Sequence, residues 1–176
     1  MPNWVKNIVT FNDPKVLKQM LSKNKDGKLF FDFNKAVPMP KEIENTVSTF
    51  KYDDTNEETQ RLIQKYGARD WYDWSIKNWG TKWNSGETEI IDDNTVDFNT
   101  AWSTPEKLIE ELCVKFNTRV HVMYADEDLG RNCGEYCYSN GLKVESYYPD
   151  DNESFDYACD VWGLDANEER AFLEEE

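Results

Sequence analysis

A short block recurs in this chain. Thr10-Phe11-Asn12-Asp13-Pro14, followed by Leu17 and Leu21, is echoed by Ala101-Trp102-Ser103-Thr104-Pro105, followed by Leu108 and Leu112. Each copy reads as a strand, a polar cap, a proline, an amphipathic helix and a further strand. Asp13 can cap a helix whose first position suits Pro14. Ser103 and Glu106 stand at capping-box spacing. Two such split βαβ units predict an α+β, ferredoxin-like fold: an antiparallel sheet with helices on one face.

The rest of the chain fills in around those units. Trp4–Phe11 has the β-branched and aromatic content of a strand. Val16, Leu17, Met20 and Leu21 mark one helix face, which Asp26-Gly27 ends with a turn. Leu29–Phe33 reads as the second strand, and Val37-Pro38-Met39-Pro40 forces an extended exit. Residues 41–85 read as a helical insertion, with a capping box at Thr55 and Glu58 and a helix stop at Gly67. Glu87–Ile91 and Thr95–Trp102 predict a hairpin, with Val96, Phe98, Thr100 and Trp102 on one face. A helix with Leu108, Ile109, Leu112, Cys113 and Phe116 precedes a strand with Val120, Val122 and Tyr124. A second hairpin, 133–138 and 142–148, turns at Asn140-Gly141. These elements predict a ferredoxin-like domain over 1–148 and an acidic C-terminal segment over 149–176. Phe155, Tyr157, Val161, Trp162 and Leu164 argue that this segment docks on the domain, with only Glu174-Glu175-Glu176 fraying.

The insertion holds the densest aromatic segment. Four of the seven tryptophans, Trp71, Trp74, Trp79 and Trp83, fall between residues 71 and 83. Such a segment is either core or recognition surface. Asp70 caps it, Gly80 closes it, and Trp71, Trp74 and Asn78 adjoin Tyr72, Ile76 and Trp79 on a broad apolar band. Asp73 and Lys77 are left as an exposed pair one turn apart. The pattern favours core, and the four indoles are the candidate lining of a ligand pocket.

Fragments in this order also carry a family resemblance. They are Met1-Pro2-Asn3-Trp4, Phe33-Asn34-Lys35-Ala36-Val37-Pro38-Met39-Pro40, Asn78-Trp79-Gly80-Thr81-Lys82-Trp83 and Thr100-Ala101-Trp102-Ser103-Thr104-Pro105. Over roughly residues 1–148 the chain resembles the YubB-type ferredoxin-like domain proteins carried by phages, plasmids and conjugative elements. The resemblance implies the fold and a mobile-element setting, and transfers no active site. The acidic end, 149–176, lies beyond it.

Charge divides the chain. Residues 1–85 hold 14 Lys and Arg against 11 Asp and Glu, whereas residues 86–176 hold 6 against 24. The second half would repel nucleic acid and anionic membrane, and attract a basic protein surface. No apolar run is long enough to span a bilayer, and Met1–Lys6 lacks the order of a signal peptide, so the expected location is the cytoplasm. Four cysteines without a CxxC fit reduced, partly buried thiols, with a Cys133–Cys137 disulfide as the alternative.

Catalytic signals are sparse. His121, the one histidine, lies between Val120 and Val122 and reads as a solvated or partly buried strand residue rather than a triad base. Neither GxGxxG nor a complete P-loop occurs, and Gly80-Thr81-Lys82 reads as a helix exit with Lys82 exposed. Asp126 with Asp128, and Asp92 with Asp93, are the carboxylate pairs that could take a hard cation, though without EF-hand spacing. No cofactor is expected.

The sequence therefore favours a non-enzymatic, acidic interaction protein of a mobile genetic element. Its partner would be a basic host or phage protein, such as a defence or nucleic-acid-binding protein inhibited by charge mimicry. The candidate contact residues are Asp126, Glu127, Asp128, Asp150, Asp151, Glu153 and Asp156. The alternatives are a carboxylate-metal enzyme or nucleotide binder using the Trp-lined pocket, and an RNA- or DNA-binding ferredoxin-like domain.

Overall fold

The computed structural model describes residues 2–49 and 53–174. In chain order it contains β1 (Trp4–Phe11), α1 (Pro14–Met20), β2 (Leu21–Lys23), β3 (Leu29–Phe31), α2 (Lys41–Glu44), α3 (Glu57–Tyr66) and α4 (Trp71–Asn78). Then come β4 (Thr88–Ile90), β5 (Thr95–Ala101), α5 (Glu106–Phe116), β6 (Arg119–Asp126), β7 (Cys133–Ser139), β8 (Leu142–Tyr147), α6 (Ser154–Trp162) and α7 (Ala166–Glu174). The expected fraying of Glu175 and Glu176 lies outside the described residues.

Six strands form an antiparallel sheet in the order β4-β5-β1-β6-β7-β8. Its first four strands have the order of two interleaved split βαβ units, α1 leaving β1 and α5 joining β5 to β6. The β7–β8 hairpin extends the sheet beyond β6. Asn140 and Gly141, at φ of 50° and 78°, supply the left-handed pair that a two-residue hairpin turn requires.

One strand is not where the pattern put it. Leu29–Phe33 reads as the second strand of the repeat, yet β3 pairs with β2 in a separate two-stranded sheet. β4 takes that place beside β5. The cause is local. α1 ends at Met20 rather than running on to Asp26-Gly27, because Leu21 is already extended at φ −86°, ψ 135°. The Asn24 side chain then accepts from the Asp26 and Lys28 amides and folds the chain straight back. The apolar content of β3 serves the core instead: Phe31 stacks on Phe98 with ring centroids 4.8 Å apart.

The main core lies on the sheet face that carries Val5, Val9, Phe11, Val120 and Val122. Val16, Leu17 and Met20 of α1, with Leu108, Ile109, Leu112 and Cys113 of α5, close it. Ile8 pairs with Met123, and Lys6 with Ala125, so these side chains point to the opposite face. There α6 packs Ala158 and Val161 on Ala125, Ile8 and Met123. The helices of the repeat thus share one face and the C-terminal helix covers part of the other.

Several local expectations give way to the observed geometry. Asn56, not Thr55, caps α3, accepting from the Glu58 and Thr59 amides. Ser103 makes no cap, because Pro105 occupies that position and Ser103 donates to the Gly80 carbonyl. Asp73 pairs with Arg69 at 2.5 Å, while Lys77 reaches the Gly67 carbonyl. On α4, Trp74 and Ser75 are buried and Ile76 is exposed. Ser75 belongs inside because its hydroxyl bridges the Tyr72 and Lys82 carbonyls. Trp102 departs from the buried face of β5, since a φ of 69° breaks the strand's alternation after Ala101. Cys133 and Cys137 lie four apart along β7. At about 3.3 Å per residue that separation exceeds disulfide reach, and all four cysteines are free and buried.

Candidate functional site

Two surfaces carry the candidate residues: the acidic flank around α6 and an aromatic band at the end of β1 and β5. On the acidic flank, Asp126 is not the surface acid the sequence suggested. It is 6% exposed. Its carboxylate accepts from the Asn3 and Asn132 side-chain amides and from the Asp128 amide, so it closes the β6–β7 turn. Glu127 is exposed but accepts from the Trp4 amide at 2.9 Å. Asp128, Asp150, Asp151, Glu153 and Asp156 are exposed. Asp150 accepts from the Asn152 and Glu153 amides, Glu153 from the Tyr147 hydroxyl, and Asp156 from Arg170. The carboxylate of Glu153 holds the Tyr147 hydroxyl up, to about 12.

Trp162 joins this flank to the sheet. Its indole N–H is shared between the Ala125 and Asp126 carbonyls at 3.2 and 3.0 Å. Lys6 lies over the same ring and pairs with Asp97 at 2.7 Å. Burial pushes the Asp97 carboxyl up, and the Lys6 hydrogen bond offsets part of that rise.

Trp71, Trp79 and Trp83 line a shallow depression of about 360 Å³ with Met39, Thr46 and Lys82. Trp74 does not line it; it lies behind Trp79, ring against ring at 5.4 Å. Asn34, Asn84 and Glu44 also border it; the two amides are engaged by Asp32, Met39, Phe33 and Ser85, and Glu44 pairs with Lys41 at 3.2 Å. Beside the depression, the Lys82 ammonium sits 4.4 Å from the Trp83 ring, 4.5 Å from Trp102 and 6.0 Å from Tyr72. Trp4 adds a further ring 6.1 Å from Trp83. Sequence reasoning missed Lys82, Tyr72 and Trp102 as partners, because no periodicity links a helix, its exit and a strand end.

Residues 78–170 match the sequence model of the ferredoxin-like domain in Api92-like protein. This chain belongs to that family. The match takes in α6 and runs past residue 148, where the resemblance read from the sequence stopped. The Api92-like chain is also similar to a solved protein, api92 from Yersinia pseudotuberculosis, at 22% identity and a TM-score of 0.45. That similarity covers 68% of this chain and 39% of the other, so the chain spans about two-fifths of the solved relative's length. No curated protein matches.

The Api92-like domain brings few catalytic groups together. His121 Nε2 lies 3.0 Å from Glu135 on the half-covered sheet face, opposite Cys137. Cys137 is 1% exposed, and Arg119 Nε–H donates to its sulfur at 3.0 Å, which closes it to a substrate. Asp92 folds onto the Asn94 amide, and Asp93 stands toward Lys18. Among the described residues no three His, Cys, Asp or Glu side chains converge on a metal position. No helix among them is long and apolar enough to cross a membrane.

Proposed function

We propose that this Api92-like chain is a non-enzymatic binding module whose C-terminal segment, from Asp150 through α7, engages a basic protein surface. The observation that carries this reading is the mixture of groups exposed by α6, α7 and the turns before each. Asp150, Asp151, Glu153, Asp156, Asp160, Asp165 and Glu168 face solvent. Leu164, Phe172 and Leu173 are exposed on the same segment, at 41%, 61% and 57%. Acids alone serve solubility, but acids around exposed apolar side chains suit an interface with an apolar centre and a charged rim. Opposite charge on the partner would speed encounter, and the apolar side chains would hold the complex.

Asp126 takes no part in this reading, because its carboxylate is spent inside the fold. A mobile-element setting, which the resemblance implies, would make a host defence or nucleic-acid-binding protein the natural partner, occupied through its basic groove. The experiment compares the chain with a triple variant, Asp150→Lys, Asp151→Lys and Glu153→Lys, as baits in host lysate. Recovery at low salt of a basic protein that the variant fails to retain supports the reading. Recovery of no basic or nucleic-acid-binding protein, or equal recovery by both baits, defeats it.

A further inference from the structure

We infer that Lys82, Trp83 and Trp102 form a binding site for a nucleoside monophosphate, the base between the two indoles and the phosphate on the lysine. In the free chain the Lys82 ammonium itself contacts both indoles. The Lys82 ammonium lies nearly equidistant from the two rings, at 4.4 and 4.5 Å, with Tyr72 closing the rear. Aromatic pairs favour centroid separations of about 4.5–7 Å, so a planar ring in place of that ammonium would touch both indoles.

Three features set this slot apart from ordinary core. Trp83 is 37% and Trp102 44% exposed, each against the Lys82 ammonium, where indoles normally seek cover. Trp102 also holds φ 69°, a conformation rare for a bulky side chain and one that clusters at binding sites. Both of its backbone polar groups are tied down: its amide donates to the Asn3 carbonyl, and its carbonyl accepts from Asn132. Lys82, finally, contacts ring faces and pairs with no carboxylate among the described residues. Its ammonium donors remain available to a ligand anion.

The same lysine selects the ligand. Displaced from the slot, its ammonium stays beside the ring that replaced it. A cationic ligand would be repelled, and a planar ring carrying an anion would be held twice. A nucleic-acid strand needs a row of cations along its backbone. Here the aromatic cluster holds Lys82 alone among the described residues, in a chain of net charge −15. One cation suits one phosphate group. The adjoining depression of about 360 Å³ leaves room for the sugar.

Calorimetry and indole fluorescence with AMP, UMP, adenosine, orthophosphate, tetramethylammonium and an eight-residue oligothymidylate test the assignment. AMP and UMP should bind saturably with indole quenching. Adenosine should bind the native chain, and AMP the Lys82→Met variant, at least about tenfold more weakly than AMP binds the native chain. Trp102→Ala should abolish binding. If that variant does not fold, Lys82→Met carries the test, since it keeps the side-chain stem. No saturable binding of either mononucleotide, or unchanged AMP affinity in Lys82→Met, overturns the proposal. So does preference for tetramethylammonium, or for the oligonucleotide over AMP. The C-terminal acids are absent from this slot, so the outcome is independent of the bait experiment.

Discussion

The Trp79 indole N–H donates to the Val37 carbonyl oxygen at 2.9 Å and fastens the helical insertion to the segment that follows β3. The ring also meets Phe33 and Trp74 edge to face, with centroids 5.6 and 5.4 Å away. At 4% exposure Trp79 is core, not surface. Trp79→Ala should lower the free energy of unfolding by about 3–5 kcal/mol. Trp79→Phe keeps most of the ring but strands the Val37 carbonyl, and should cost less, on the order of 1–3 kcal/mol. Urea unfolding measures both; a native midpoint for Trp79→Ala would contradict its placement in the core.

Glu42 of α2 gathers three groups of α3. Arg61 forms an ion pair with it, Tyr66 donates its hydroxyl at 2.7 Å and Lys65 its ammonium at 2.9 Å. The Arg61 hydrogen bond, then those of Tyr66 and Lys65, hold the Glu42 carboxyl down to about 2. A depressed carboxyl stabilises the fold above its unfolded value, and that contribution is lost as pH falls through the folded one. The α2–α3 clamp should therefore loosen between about pH 4.5 and pH 2. Hydrogen exchange of the α3 amides should rise across that window. Glu42→Gln should show the faster exchange at neutral pH and lose the pH step.

Burial makes the thiols inert. It pushes the Cys113 thiol up to about 12 and raises those of Cys133 and Cys159. The reactive thiolate is therefore scarce at these three positions at neutral pH, and access is closed as well. An aromatic disulfide reagent at pH 8 should modify these three cysteines slowly in the folded protein and promptly in denaturant. Fast modification of any of them without denaturant would show that the fold opens there.

The repeat was legible because Pro14 and Pro105 mark helix starts directly after strands, and such punctuation survives any tertiary context. Which strand pairs with which was less legible. Phe30 and Phe31 suit any strand, and only the Asn24 turn diverts them from the main sheet. Closeness in sequence groups Trp71, Trp74, Trp79 and Trp83 as pocket candidates, but it does not say which indole turns inward: Trp74 lies behind Trp79, and the other three border the depression. Alternation along β5 points Trp102 inward, but its left-handed backbone position, which periodicity does not reveal, ends the alternation at Ala101. In the sequence Asp126 reads as one member of an acidic run. Its burial depends on Asn3 and Asn132, which meet it only after β1 and β6 have paired.

The contact of Trp162 with β6 makes the docking of α6 separable from its charge. The indole N–H serves two strand carbonyls, and Val161 and Ala158 fill the gap beneath. Trp162→Phe keeps much of the apolar area but removes the shared donor; Trp162→Ala removes both. The expected cost is about 1–3 kcal/mol for the first and about 3–5 kcal/mol for the second, less where α6 settles into the space. The main core lies across the sheet, so the loss should appear locally. Amides of α6 and the last residues of β6 should exchange faster, while those of α5 keep their protection. Uniform loss of protection through α5 would instead make α6 part of the global folding unit. Any loss of partner binding by these variants would then report unfolding rather than displaced acids.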